Sequence, residues 1–186
     1  KVAPMIALAQ IHLRVGDTDG CLEWCEKASE RAPNRPEPYY LKGGALFEKE
    51  DFAGGLEALR KAKEVGPEFL PPYITLAEIY MNVGRRPDLA RREYEQAMEY
   101  QEDPTALRIG LSRALIQTGD SPRAIEILTD ILDRDPGHLS ALRTLTSLYV
   151  LQGRAWDAVA LDRIVELADR ILERSPGNEW ALMVKG

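Results

Sequence analysis

An all-α array of antiparallel helix pairs is the fold that this 186-residue sequence predicts, on three observations. Glycines and prolines punctuate the chain at a recurring interval: Pro33 to Pro67 is 34 residues and Gly84 to Gly119 is 35. Each glycine follows roughly a dozen residues of apolar helical spacing, and each proline closes the next such stretch. Small residues recur at two fixed places in every interval, where paired helices need them to bring their backbones within about 8–10 Å.

Five units follow in order, 2–35, 36–69, 70–104, 105–138 and an enlarged 139–176, with 177–186 opening a sixth. In the first, Gly16 ends helix A and Pro33 stops helix B. The second closes at Pro67. The third has Gly84 and starts helix B at Arg86-Pro87-Asp88, but lacks a closing proline. The fourth has Gly119, then Ser121-Pro122 as an N-cap hydroxyl before a first-turn proline, and Pro136 as its stop. The left-handed conformation that ends a helix explains the glycines; tolerance of proline in the first turn, and not in the interior, explains the prolines. In the fifth, six extra residues lie between Gly153 and Pro176. Helical apolar spacing over 156–174 (Leu161, Ile164, Val165, Ala168, Ile171, Leu172) predicts a helix B longer by more than a turn.

Numbered within a unit, position 7 reads Leu8, Lys42, Leu76, Leu111 and Leu145. Position 8 reads Ala9, Gly43, Ala77, Ser112 and Thr146, and position 20 reads Cys21, Gly55, Ala90 (after a one-residue insertion), Ala124 and Ala158. A large residue four places later (Leu59, Tyr94, Leu128) completes the stripe that faces helix A.

The pattern resembles the tetratricopeptide repeat family. The resemblance is carried by Tyr39, Gly43, Gly55, Leu59, Ala62 and Pro67 in unit two, and by Tyr73, Leu76, Ala77, Tyr80, Gly84, Ala90, Tyr94 and Ala97 in unit three. Leu111, Leu115, Gly119, Ala124 and Pro136 carry it in unit four, and Trp180 opens unit six. Lys42 in place of Leu, and Arg108 in place of an aromatic, depart from it. It implies a single array over 1–186 and a right-handed superhelical solenoid; the short loops and the Asp135-Pro136-Gly137 and Ser175-Pro176-Gly177 closures read as bacterial in style. Pentatricopeptide units have a similar length but bind RNA, and armadillo or HEAT units are longer.

On a helical wheel, positions 4, 7, 8 and 11 of helix A face helix B. Position 10 (Ile11, Ala45, Ile79, Ala114, Leu148) faces the neighbouring unit. Positions 2, 5, 9 and 12 lie on the far side, which the resemblance places along a concave groove. Positions 5 and 12 are Ile6, Leu13, Tyr40, Phe47, Ile74, Met81, Ile109, Ile116, Arg143 and Val150. The groove is therefore expected to be apolar, with Glu37, Glu78, Arg113 and Arg143 as its few charges and with Glu78 and Arg113 able to pair with each other or with a ligand. Large residues there also pack on one another, which explains part of the stripe without a ligand. The family's carboxylate-clamp members carry Lys, Asn and Arg on this face; the matching residues here are Ile6, Gln10, Leu41, Pro71 and Thr75, so that clamp is not expected. The candidate partner-binding residues are Ile6, Gln10, Leu13, Tyr40, Phe47, Ile74, Glu78, Met81, Ile109, Arg113, Ile116 and Arg143.

Signals of other chemistry are weak. Cys21, Cys25 and His12 could approach as three metal ligands, but they occupy core positions and no fourth ligand is evident. Gly43-Gly44 and Gly54-Gly55 follow no strand and precede no Lys-Ser/Thr, so no phosphate cradle is expected. His138 reads as a solvated turn residue. No catalytic constellation can be assembled, so neither enzyme activity nor a cofactor is expected. A net charge of −6 without a Lys/Arg block argues against nucleic acid, and the lack of an 18-residue apolar run argues against membrane insertion. A soluble chain, cytoplasmic or periplasmic, is expected.

These readings predict a protein–protein interaction scaffold that binds an apolar peptide or helix. Family analogy adds a place in an assembly, secretion or export machine. The alternative is a structural spacer or self-association segment whose groove is filled by its own chain. Apolar Trp180, Leu182 and Met183 make the chain read as a section of a longer repeat protein and allow end-to-end self-association.

Overall fold

The computed structural model of the protein describes residues 1–135, 137–151 and 158–185. The expectations for Pro136, Gly153 and Trp156, and for the side chains of Ala158, Leu161, Ile164 and Trp180, lie outside the described residues. Among those described, eleven helices form and no strand. They cluster into two compact units, 1–85 with 95–101, and 86–94 with 102–186.

In the first unit α1 (Ala3–Arg14), α2 (Thr18–Arg31), α3 (Pro36–Glu48), α4 (Phe52–Val65) and α5 (Pro71–Asn82) follow one another. Each packs on its neighbour in sequence, and α1 also packs on α3. The small residues sit where the sequence places them. Ala9, Cys21, Ala45 and Ala77 are fully buried. A methyl group on Gly43 would lie 3.2 Å from the carbonyl oxygen of Gly55, so α3 and α4 approach backbone to backbone. Lys42, the departure at position 7, is exposed, and Leu41 beside it is buried instead.

The second unit takes the start of α6 (Pro87–Met98), then α7 (Thr105–Thr118), α8 (Ser121–Arg134), α9 (Leu139–Leu151), α10 (Ala158–Arg174) and α11 (Glu179–Lys185). Again α7 packs on α8 and α9, α8 on α9, α9 on α10 and α10 on α11. Leu128, Leu142, Leu145, Ala168 and Ile171 form one cluster there. Over its described residues α10 runs for 17, three more than the 14 of α2, α4 and α8, and the start expected at 156 lies outside the described residues. Arg108, where the family has an aromatic, meets Asp130 of α8 at 2.5 Å.

The turns supply the chemistry with two corrections. Asp17, Asp51 and Asp120 each cap the following helix, accepting from the backbone N–H three residues on. Helix α8 is thus capped by Asp120 and not by Ser121, because a carboxylate combines the capping bond with attraction to the helix dipole. Gly16 and Gly119 take the left-handed conformation, at φ +78° and +85°. In unit three Arg85 takes it in place of Gly84, and in unit two it falls on Glu50, where no glycine stands. After helix B a repeated backbone hydrogen bond marks the period: Arg35 N–H to Ala32, Phe69 to Gly66, His138 to Asp135 and Asn178 to Ser175. His138 is half-buried in this turn, and its ring accepts the Ala141 N–H at 3.4 Å.

Candidate functional site

In the first unit the candidate residues divide by burial. Ile6 and Met81 are buried at 7% exposure each, so their side chains belong to the core that supports the face. Leu13 lies against Gly44 of α3. Phe47 rests its ring on Gly55 and tilts towards Phe52, both of α4. Tyr40 stands edge-on to Phe69 at 5.7 Å between ring centres. It is half-buried, as is Ile74, while Gln10 and Glu78 are exposed.

In the second unit the candidates converge. Ile109, Arg113 and Ile116 lie three and four residues apart on one face of α7, and Arg143 lies on α9. All four line a single depression of about 560 Å³. Two first-of-pair helices packed side by side create it. Of its other walls, sequence reasoning names only Leu148, as a neighbour-facing residue and not as a partner-binding one. Leu148 and Leu151 extend the apolar rim; Gln117, Ser140, Thr144 and Ser147 add polar groups. Ser140 and Ser147 do fall at positions 2 and 9 of the stripe, which was the available signal. Leu151 is 76% exposed and Arg113 and Arg143 are exposed too, whereas Leu148 is buried. The surface is mixed, with an apolar rim and two guanidiniums, rather than uniformly apolar.

The cysteines form no such site. Cys21 and Cys25 are buried with their sulfurs 3.9 Å apart, and Cys21 also points its thiol at the Leu41 carbonyl. Their mutual hydrogen bond, then burial, push the Cys25 thiol well up. His12 is half-buried and turns to Asp17, 2.7 Å from Nδ1. Asp17, held below the usual carboxylate range by the Gly20 N–H and then by His12, makes this pair part of the helix cap. Among the described residues no group of three His, Cys, Asp or Glu side chains is placed to hold a metal ion, and no helix is long and apolar enough to cross a membrane.

Comparison with known proteins agrees with the repeat reading. Two family models, both described as Tetratricopeptide repeat, match residues 85–149 and 2–27. The TPR repeat-containing protein YpiA of Bacillus subtilis is 23% identical over 170 residues; the match takes in 90% of this chain and 38% of that protein. The chain therefore spans well under half of that relative. Among solved structures, YrrB, described as a TPR protein with an unusual peptide-binding site, superposes with a TM-score of 0.73 at 22% identity, covering 100% of this chain and 92% of its own. PilW, described as a widely conserved type IV pilus biogenesis factor, gives 0.72 at 15% identity, covering 98% and 82%.

Proposed function

The chain belongs to the tetratricopeptide repeat family, and from that premise we propose that it is a non-enzymatic protein–protein interaction scaffold that seats a peptide or helix with apolar anchors. One observation carries the proposal: four residues chosen as partner-binding, Ile109, Arg113, Ile116 and Arg143, line one depression between α7 and α9. An anchor side chain entering there would leave water against Ile109, Ile116 and Leu151, each buried CH₂ contributing about 0.8 kcal/mol. Both walls are helices, so the site is held open before binding and little ordering opposes association. In the first unit Tyr40 and Ile74, half-buried rather than lost to the core, offer further contacts, with Gln10 and Glu78 beside the same stripe. The peptide-binding site of YrrB supports the kind of ligand, and the likeness of fold to PilW supports a place in an assembly or export machine.

The test is selection of peptides from a random display library on the immobilised chain, followed by affinity measurement on wild type and on Leu151→Ser/Ile116→Ser. The expected result is enrichment of sequences with apolar anchors that lose about tenfold or more in affinity for the variant, while its melting temperature falls little. Enriched peptides that bind both proteins equally would place the site elsewhere.

A further inference from the structure

The chain carries six more acidic than basic residues, and carboxylates take up many of its arginines. Arg35 pairs with Glu37, Arg86 with Asp88, Arg108 with Asp130 and Arg170 with Glu166. Other depressions also bring their own compensation. The one holding Arg60 and Lys63 contains Glu64 and Glu99; the one holding Arg170 contains Asp133 and Glu166. The α7–α9 depression does not. Among the described residues that line it, Arg113 and Arg143 stand with hydroxyls, one amide and an apolar rim, and none is Asp or Glu. Two like charges thus border one surface of an acidic chain with no carboxylate among the described lining residues. An anion brought by a ligand would complement both.

We infer that this depression selects a partner segment in which an Asp or Glu side chain stands beside the apolar anchors. The carboxylate meets Arg113 and Arg143, and the anchors meet Ile109, Ile116 and Leu151. The inference rests on the peptide-binding reading above and narrows it to one chemistry. A guanidinium presents a planar fork that matches a carboxylate with two parallel hydrogen bonds. The adjoining apolar rim lowers the local dielectric once the anchors are seated, which strengthens that pairing. The same charges attract an acidic segment at a distance and turn away a basic one, so they set specificity and encounter rate together. The stripe in the first unit has no such pair: there positions 5 and 9 are Ile6, Gln10, Tyr40, Gly44, Ile74 and Glu78.

The experiment uses fluorescein-labelled peptide pools with Leu, Ile or Phe at three fixed positions and either Glu, Gln, Lys or phosphoserine between them. Binding is read by fluorescence anisotropy at low and high salt. The Glu pool is expected to bind wild type about tenfold more tightly than the Gln pool, with the gap shrinking as salt rises. Arg113→Glu/Arg143→Glu, two exposed positions, is expected to melt like wild type and to prefer the Lys pool. Equal binding of the Glu and Gln pools overturns the inference while leaving the peptide-binding reading intact. Failure of every pool to bind overturns both. Preference for phosphoserine over Glu would replace the carboxylate with a phosphopeptide. A Glu preference that survives in the reversed variant would remove these arginines from the site.

Discussion

Gly110 offers the sharpest test of how α6 and α7 pack in the second unit. A methyl group built on its backbone would stand 2.5 Å from Cε1 and Cζ of Tyr94 and 3.0 Å from Cδ1. Carbon atoms settle at about 3.5–4.0 Å, so the ring must withdraw by about 1 Å. Tyr94 is only 7% exposed, and its neighbours resist that movement. Overpacking of this kind costs about 1–3 kcal/mol, against a gain of about 1 kcal/mol when alanine replaces glycine inside a helix. Gly110→Ala should therefore destabilise by about 1 kcal/mol. With Tyr94→Leu in the background the two closest atoms are gone, and the same change should stabilise by about 1 kcal/mol. The double-mutant cycle then yields a coupling of about 2 kcal/mol. Urea unfolding of the four proteins, followed by far-ultraviolet circular dichroism, measures it. Gly110→Ala shifting stability equally in both backgrounds would refute the idea that glycine is required by the ring.

Three further outcomes are expected. Glu50 holds φ +63° on an exposed turn, a conformation that costs a side-chain-bearing residue about 1–2 kcal/mol, so Glu50→Gly should raise stability by roughly 1 kcal/mol in urea; a loss of stability would contradict it. The Arg108 guanidinium holds the Asp130 carboxyl below the usual carboxylate range; because the folded value lies below the unfolded one of about 3.9, that contribution is present at neutral pH and lost as pH falls through the folded value. Thermal melts across acid pH should accordingly show a steeper loss for wild type than for Asp130→Asn. Cys21 and Cys25, at 0% and 1% exposure, should react with a thiol reagent only through local opening, and labelling of the native protein as fast as of the urea-unfolded chain would count against their burial.

Periodicity made the helix pairs readable because burial follows the wheel: Ala9, Ala77, Ser112 and Thr146 stand at one position and all are fully buried. The Asp17 and Asp51 caps obey the same local rules, and at α8 the Asp120 carboxylate caps in place of the Ser121 hydroxyl that precedes Pro122. Contacts between consecutive pairs were less legible. Position 6 is not a small-residue position in the repeat, so nothing local announces that Tyr94 needs Gly110. The Arg108–Asp130 ion pair joins two helices through side-chain reach, which a wheel does not encode. The candidate face shows the same limit. Ile6, Tyr40 and Ile109 share one wheel angle, yet Ile6 is buried and the other two are half-buried, because the covering comes from the neighbouring pair. The wheel puts Arg113 and Arg143 on one stripe, but that both border one depression emerges only when α7 and α9 are placed side by side.

The account turns on a ligand seated between α7 and α9, and methyl nuclear magnetic resonance reads that seat directly. Titration with a library-selected peptide should shift the methyl signals of Ile109, Ile116 and Leu151 along one saturating curve, with Ile125 and Ile127 of α8 unmoved. Saturable shifts confined to α8, with Ile109 and Ile116 silent, would contradict it.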